Sequence, residues 1–235
     1  MLRDSIFGDA APSVVAAVAV HLQPVWYRQR RRVFSEGDTG DCLYIIGAGK
    51  VKVSRTSGGQ DRAISLLGPG EVFGELAVYD PGPRASTVAT LTEVQALILT
   101  ADALRSCIAD HPEITVQLFR LLADRLRRTN DVVCDQVFTD APGRVAATLL
   151  DLARRFGSPH NGVMRVAHGL STSELGQLAG TSRESMSKAL SAFADRGWVR
   201  QHSKVIDICD PAALAQRGSK LHGPARSGLR GAGCR

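Results

Sequence analysis

One stretch of the sequence carries residue types suited to holding a phosphate and a sugar. It runs from Gly70 to Val88 and reads GEVFGELAVYDPGPRASTV. Gly74 lets a ligand approach the backbone closely because glycine has no side chain to clash. The carboxylate of Glu75 can accept hydrogen bonds from sugar hydroxyls, and the guanidinium of Arg84 matches a pair of phosphate oxygens. The stretch therefore predicts a binding loop for a phosphorylated sugar.

Short strands surround this loop. The chain from Val33 to Leu99 is divided by glycines at short intervals, and the segments between them are rich in β-branched residues. Evenly spaced short strands indicate an antiparallel sandwich or barrel. We therefore expect the loop to be held between strands of such a structure.

The pattern becomes helical after Thr100. Apolar side chains in residues 112–137 recur mostly three or four positions apart, which predicts one long helix. One stripe of this helix can pack on the strands, and another can pair with the same helix of a second copy. Burial of the whole helix within one chain is the alternative, and the helix length favours the pair.

The loop and its strands resemble the cyclic-nucleotide-binding domain of the CRP/FNR family of bacterial transcription regulators, most closely the actinobacterial CRP type. The resemblance covers about residues 25–210, and its most specific segments are EGDTGDCLYIIGAGKVKV, FGEL, DPGPR and RRTN. It implies an α+β chain with an N-terminal β jelly roll, a long dimerisation helix and a C-terminal winged helix-turn-helix. The jelly roll would enclose a pocket whose apolar walls include Val51, Val53, Leu66 and Leu76.

The same resemblance implies cyclic AMP as the effector. It assigns the following residues to that ligand: Gly74, Glu75, Leu76, Arg84, Ala85, Thr129 and Asn130. The Gly-Glu-Leu segment would meet the ribose, Arg84 the cyclic phosphate, and the two helix residues the adenine, one from each subunit. The family usually has Ser or Thr after the arginine, where this chain has Ala85. A jelly roll that holds a buried salt bridge and binds no nucleotide is therefore the alternative hypothesis.

A second motif lies in residues 171–197. Ser171 and Glu174 form an S-x-x-E capping box that opens one helix, and Thr181 and Glu184 fit a second box that opens another. Gly180 separates the two helices. Two helices joined by a glycine-containing turn predict a helix-turn-helix.

The second of these helices should enter the major groove of DNA with its N-terminus first. An arginine can grip guanine O6 and N7 together, and a glutamate can accept a hydrogen bond from cytosine N4. Two short strands around residues 202–204 form the expected wing, whose lysine should touch phosphates. The resemblance to the CRP/FNR family further implies a palindromic operator with TGTGA-like half-sites. The predicted contacts to it are Ser182, Arg183, Glu184, Ser187, Lys188 and Lys204.

Net charge is +6 over 235 residues, and it is concentrated at the C-terminus. Residues 217–235 carry five basic side chains and no acidic one, whereas residues 1–139 are close to neutral. A second basic run, Arg28 to Arg32, has the composition of a nucleic-acid patch but leads directly into a strand. An exposed strand edge is the interpretation that its position favours.

Several function classes find no support in the sequence. We find no Ser/His/Asp, Walker or metal-ligand spacing, so an enzyme is not expected, and neither a metal nor an iron–sulfur cluster. The five cysteines are scattered, which favours a reducing cytoplasm with free thiols and leaves a redox role open for Cys42, Cys107 or Cys134. No apolar run is long enough to span a bilayer.

The expected division of the chain has four parts. Residues 1–110 form the jelly roll with a short N-terminal helix, 111–139 the dimerisation helix and hinge, 140–216 the winged domain, and 217–235 a disordered basic tail. The predicted function is a homodimeric, DNA-binding transcription regulator gated by cyclic AMP, with RNA polymerase as a further partner and no membrane contact. The alternative is the same regulator acting without nucleotide, either constitutively or through thiol chemistry.

Overall fold

The computed structural model describes residues 6–8 and 10–218. A β sandwich, a long helix and a smaller winged domain follow one another along the chain, which confirms the predicted α+β fold class. The strands of the sandwich are β1 (Gln23–Tyr27), β2 (Arg32–Phe34), β3 (Cys42–Ala48), β4 (Val51–Ser57), β5 (Gln60–Leu67), β6 (Val72–Phe73), β7 (Thr87–Thr90) and β8 (Val94–Thr100).

The helices of this part are α1 (Pro12–Ala19), α2 (Leu76–Tyr79), α3 (Ala101–Asp110) and α4 (Ile114–Phe138). Thr100 caps the N-terminus of α3, because its hydroxyl accepts a hydrogen bond from the Ala103 amide at 3.3 Å. The predicted long helix is confirmed as α4, which has 25 residues. Its buried residues, Ile114 and Leu118, both lie near its start.

The strands form two antiparallel sheets with the orders β1-β8-β3-β6 and β2-β7-β4-β5. Successive side chains of a strand point to opposite faces, and β3 shows this clearly. Tyr44 and Ile46 join the apolar cluster between the sheets, whereas Leu43 and Ile45 join the cluster beneath α1, α3 and α4. The sandwich therefore has a pocket side and a helix side.

The winged domain contains the elements α5 (Ala141–Phe156), β9 (Gly157–His160), β10 (Val163–Ala167), α6 (Thr172–Leu178), α7 (Arg183–Asp195), β11 (Val199–His202), β12 (Val205–Ile208) and α8 (Pro211–Gly218). Its sheet has the order β11-β12-β10-β9. Asp140 caps α5 as predicted, because its carboxylate accepts from the Gly143 amide at 3.0 Å. The capping box of Ser171 and Glu174 is also confirmed.

Three sequence predictions for this domain were wrong or incomplete. The cap of α7 is Ser182, whose side chain accepts from the Ser185 amide, and not Thr181. The hairpin of β9 and β10 was not predicted. Residues 217–218 were assigned to a disordered tail, but they complete α8, which packs against α5. Residues 219–235 lie outside the described residues.

Strand β5 contributes side chains to both domains. Leu66 of β5 is 1% exposed and belongs to the apolar cluster of the winged domain, so its predicted place in the pocket wall was wrong. Its neighbour Leu67 lines the pocket instead. Hydrogen bonds support the junction, since the Ala63 amide donates to Gln177 Oε1 at 2.7 Å and Lys52 pairs with Glu174 at 2.6 Å.

Candidate functional site

The predicted phosphate loop folds around a small cavity. Gly74 follows β6 with a φ of 77°, a conformation that favours glycine. A side chain there would also meet Arg84 Nη1 at 2.6 Å. Glu75 comes next and is 1% exposed, and α2 begins at Leu76. The short helix therefore turns the chain from the sheet towards Arg84.

Arg84 is a buried arginine, with 5% of its surface exposed. Its Nη1 donates to the carbonyls of Cys42, at 2.8 Å, and Gly74, at 2.6 Å. Its guanidinium carbon lies 4.4 Å from the ring centroid of Phe34, which is a cation–π contact. Its Nε is buried and has no hydrogen-bond partner among the residues that the structure describes. Arg84 is thus a desolvated cation in contact with carbonyl dipoles, with the rings of Phe34 and Tyr44, and weakly with the sulfur of Cys42.

Glu75 does not pair with Arg84. Its carboxylate forms an ion pair with Arg125 of α4, whose guanidinium also donates to the carbonyl of Val72. Sequence reasoning missed Arg125, although it lies one helical turn before Thr129, the position already assigned to the ligand. Arg125 therefore connects the long helix α4 to the phosphate loop.

The cavity that these residues share has a volume of about 60 Å³. Gly74, Glu75, Leu76, Arg84 and Ala85 all line it, so five of the predicted ligand residues lie together. Leu76 is about half exposed and Ala85 is exposed. Ser86 also lines the cavity and is the nearest hydroxyl after Ala85 in the sequence.

Thr129 and Asn130 are not brought to this cavity within one chain. Both are exposed on α4, and the Thr129 hydroxyl donates to the Arg125 carbonyl of its own helix at 3.0 Å. Asn130 lies on a seam that follows a seven-residue repeat. The seam consists of Val116, Phe119, Ala123, Leu126, Asn130, Val133 and Val137.

The seam residues are exposed along α4, apart from Ala123, which is half-buried. Phe119 is 65% exposed, Leu126 62% and Val137 68%. The seam residues are spaced three and four apart, as in the a and d positions of a coiled coil. Asn130 takes an a position in this repeat, where asparagine favours two-stranded pairing in one register. The seam therefore has the pattern of a surface that pairs with a second copy.

The start of α7 forms the surface that the sequence predicted to contact base edges, which we call the reading face. Met186, Leu190 and Phe193 are buried as predicted and fix the helix against its domain. The opposite side is exposed and carries Ser182, Arg183, Glu184, Ser187 and Lys188. The backbone amide of Glu184 and the hydroxyl of Ser182 lower the pKa of the Glu184 carboxyl, so it is an acceptor at neutral pH. The face can therefore both donate to and accept from base edges.

The wing is the turn between β11 and β12. Lys204 is exposed there, and Ser203 before it has a φ of 52°. Asp207 accepts two hydrogen bonds from Arg165, at 2.7 and 2.8 Å, which ties the wing strand to β10. At the root of the wing, burial and the charges of Lys50 and Lys204 lower the pKa of His168 to about 4. His168 is therefore neutral near pH 7.

Other site types receive no support from the described residues. In residues 6–8 and 10–218 no group of three or more His, Cys, Asp and Glu could hold a metal ion. Cys42 and Cys107 are buried free thiols, and Cys134 is exposed. Within the same part of the chain, no helix is both long and apolar enough to cross a bilayer.

Two family models match the chain. The model described as "Cyclic nucleotide-binding domain" matches residues 24–111, and the "Crp-like helix-turn-helix domain" matches residues 143–217. These matches correspond to the sandwich with its cavity and to the winged domain with its exposed reading face.

Curated relatives extend the likeness along almost the whole chain. A "CRP-like cAMP-activated global transcriptional regulator" of Mycobacterium tuberculosis is 50% identical, covering 92% of this chain and 97% of its own. A "Cyclic AMP receptor protein" of Thermus thermophilus is 36% identical over the same shares.

Solved structures agree with the sequence comparisons. The Thermus thermophilus catabolite activator protein is 34% identical, with a TM-score of 0.52, and covers 92% of this chain and 99% of its own. FixK2 from Bradyrhizobium japonicum has a TM-score of 0.73 at 21% identity, over 83% and 96% of the two chains, and shows the shared fold.

Proposed function

The chain belongs to the CRP/FNR family of transcription regulators, and from that premise we propose that it binds a palindromic operator as a homodimer under the control of cyclic AMP. It is a DNA-binding regulator and not an enzyme. The observation that carries the cyclic AMP proposal is the buried, incompletely hydrogen-bonded guanidinium of Arg84 in the cavity. A cyclic phosphate is the anion that would satisfy it. Action in the cytoplasm and contact with RNA polymerase are further parts of this proposal.

Binding of a nucleotide must rearrange the cavity. Small-molecule pockets generally enclose a few hundred Å³, whereas this cavity has about 60 Å³. The hydrogen bonds from Arg84 to backbone carbonyls must be replaced by hydrogen bonds to phosphate oxygens. The ion pair between Glu75 and Arg125 must be replaced by hydrogen bonds from the ribose hydroxyls to Glu75. Because Arg125 belongs to α4, the second replacement acts directly on the helix that carries the seam. The ligand can act only by favouring the rearranged state over the present one.

Glu71 is the point where this movement can reach the winged domain. Its carboxylate accepts from Arg155 of α5 at 2.9 Å and from Arg128 of α4 at 3.1 Å. Arg155 also donates to the Leu66 carbonyl. The Glu71 carboxylate, at the edge of the phosphate loop, therefore links the sandwich, the long helix and the winged domain.

We expect Glu71→Gln to raise the affinity for operator DNA in the absence of nucleotide about three- to tenfold. The variant loses two partly exposed ion pairs, each of which contributes up to about 1 kcal/mol. These pairs stabilise the arrangement with the small cavity, so their loss favours the state that nucleotide would otherwise select. Fluorescence anisotropy of a labelled operator, with and without cyclic AMP, measures the change.

Glu36→Gln is the matched control for this variant. Glu36 pairs with Arg55 at 3.2 Å within the sandwich and does not reach the winged domain. It should leave the ratio of the two operator affinities unchanged. If Glu71→Gln also leaves that ratio at its parental value, Glu71 does not couple the two domains.

A second candidate keeps the DNA-binding role and replaces the nucleotide with thiol chemistry. The observation that favours it is the position of Cys42, whose Sγ lies 3.4 Å from Arg84 Nη2. Ala85 also removes the hydroxyl that the family usually offers to the phosphate. Oxidation of Cys42 would then alter the surroundings of the guanidinium without any ligand.

Calorimetric titration with cyclic AMP, followed by operator binding at the same nucleotide concentrations, tests the proposed function. We expect one nucleotide per protomer and at least about tenfold tighter binding to a palindrome of TGTGA-like half-sites, within the usual range of allosteric coupling. Operator binding that is equally tight with and without nucleotide, and that changes on thiol oxidation, would favour the second candidate.

A further inference from the structure

The winged domain has a cleft that the function proposed so far does not use. It lies between α7, the start of α5 and the end of α8, and we name it the α7 cleft. Its volume of about 570 Å³ is within the range of about 300–1,000 Å³ that is usual for small-molecule pockets. The described residues that line it all belong to residues 141–217. The cleft is therefore independent of how the winged domain is placed against the sandwich.

The floor of the α7 cleft is apolar. Ala189 and Phe193 are buried there and Ala192 is half-buried, on successive turns of α7. Trp198 extends this floor and stacks on Phe193, with the two ring centroids 5.4 Å apart. Pockets lined mainly by apolar and aromatic side chains, with a few polar groups, are typical of small organic ligands. The floor therefore favours a ligand with a hydrocarbon body.

The ionisable side chains among the described lining residues are all cations, namely Lys188, Arg196 and Arg217. Arg217 is already paired with Asp140, at 2.6 Å. Lys188 and Arg196 are exposed, and in the part of the chain that the structure describes no carboxylate forms an ion pair with either. The guanidinium carbon of Arg196 lies 5.4 Å from the ring centroid of Trp198 instead. The cleft therefore offers two uncompensated positive charges to an anion.

The positions of these two cations set the length of a matching anion. Lys188 and Arg196 are eight residues apart, which corresponds to a rise of about 12 Å along an α-helix. Ala189, Ala192 and Phe193 come between them in the sequence. An extended chain of about ten carbons spans a similar distance, since each C–C bond of about 1.5 Å advances the chain by somewhat less than its length.

We propose that the α7 cleft binds an elongated organic dianion, a hydrocarbon chain with a carboxylate at each end, and that this ligand opposes DNA binding. One carboxylate meets Lys188, the other meets Arg196, and the chain covers the apolar floor. Lys188 is a predicted contact to the operator, so the effect on DNA rests on the proposed function. A ligand carboxylate that neutralises Lys188 removes its attraction for the DNA phosphates and base edges.

The C-terminal segment of the chain is a less suitable occupant. Residues 219–235 follow α8 and carry four basic side chains and no acidic one. Like charges repel, and the lining of the cleft is already basic. The charge of the cleft therefore favours a separate anion over this segment.

Three carboxylates test the site in titrations of the full chain. Decanedioate can reach both cations, decanoate has the same chain length and one carboxylate, and pentanedioate is a dianion that is too short. The fluorescence of Trp198 reports binding, whereas Trp26 lies on β1, outside the cleft, and should give a constant signal. We expect decanedioate to bind about three- to fivefold more tightly than decanoate, the usual limit for one partly exposed ion pair. Pentanedioate should bind at least about tenfold more weakly than decanedioate, because it covers less of the apolar floor.

Three variants separate the charge of the cleft from its shape. Arg196→Gln removes one cation and should abolish the difference between decanedioate and decanoate. Arg154→Gln removes an exposed arginine of α5 that does not line the cleft, and it should keep that difference. Ala192→Phe fills the floor and should weaken the binding of both ten-carbon acids at least about tenfold, with thermal melting as the check on its fold.

Operator binding in the presence of the same acids tests the second part of the proposal. Saturating decanedioate should weaken the binding of a labelled operator to the parent about three- to tenfold, measured by fluorescence anisotropy. Pentanedioate at the same concentration carries the same charge and controls for ionic strength. The Arg196→Gln variant should bind operator like the parent without acid and should need about three- to fivefold more decanedioate for the same inhibition.

Equal affinities of decanedioate and decanoate for the parent overturn the inference, as does an Arg196→Gln variant that behaves like Arg154→Gln. Decanedioate that lowers operator affinity no more than pentanedioate does also overturns it. All three results leave the proposed function intact. If the parent chain binds no operator even without acid, the proposed function fails, whereas the Trp198 titrations still decide whether the cleft is a dianion site.

Discussion

Leu126→Glu should convert the protein from a dimer to a monomer and lower its affinity for a palindromic operator at least about 100-fold. Leu126 is 62% exposed at the middle of the α4 seam, where a second copy of the helix would cover it. A carboxylate there would be buried against its own symmetry mate. Loss of the dimer removes the bivalent contribution to operator binding, which amounts to factors of about 10² to 10⁴. Light scattering and operator titration measure the two effects.

Val132→Glu is the control, because it makes a similar change on the same helix, away from the seam. Val132 is 48% exposed, and its position in the repeat does not belong to the seam residues. We expect this variant to remain dimeric and to bind operator like the parent. A dimeric Leu126→Glu, or a parent that is already monomeric, would contradict the role given to the seam.

Arg84→Gln should lower the affinity for cyclic AMP by about 100-fold. The guanidinium is the one cation among the predicted ligand residues, and a charge-assisted hydrogen bond contributes about 1.5–3 kcal/mol. Glutamine can still donate to the carbonyls of Cys42 and Gly74, so the loop should keep its fold. Calorimetry gives the affinity, and thermal melting checks the fold.

Two further substitutions make this test selective. Arg55→Gln removes an exposed arginine of the same sandwich and should leave the nucleotide affinity unchanged. Ala85→Ser restores the hydroxyl that the family usually has and should raise the affinity about fivefold, the equivalent of one added hydrogen bond of about 1 kcal/mol. Wild-type affinity in Arg84→Gln would mean that the phosphate is bound elsewhere.

Local signals in the sequence predicted the framework well. The capping box at Ser171, the cap at Asp140 and the apolar stripe of α7 depend on residues close together in the chain, and all three were confirmed. Five of the predicted ligand residues, Gly74, Glu75, Leu76, Arg84 and Ala85, also line one cavity, and their contact with a ligand stays a prediction. The hairpin of β9 and β10 could have been predicted, because Asn161-Gly162 is a strong turn signal.

Contacts between residues far apart in the sequence could not be predicted from such local signals. Arg125 and Glu75 are 50 positions apart, and nothing local distinguishes Arg125 from Arg127 or Arg128 on the same helix. The position of Leu66 depends on the docking of a second domain against the sandwich, which its own strand pattern cannot report. The functions of Thr129 and Asn130 depend on a second subunit and stay predictions.

Leu66 and Leu67 are consecutive residues of one strand, and they face two different compartments. Ligand chamber and gene-control module are therefore separated by a single polypeptide thickness. Substitutions in β5 that adapt the chamber to another effector, for instance in a biosensor, would therefore also change the packing of the gene-control module. Libraries that vary both sides of β5 together should then yield switchable variants more often than libraries confined to the chamber.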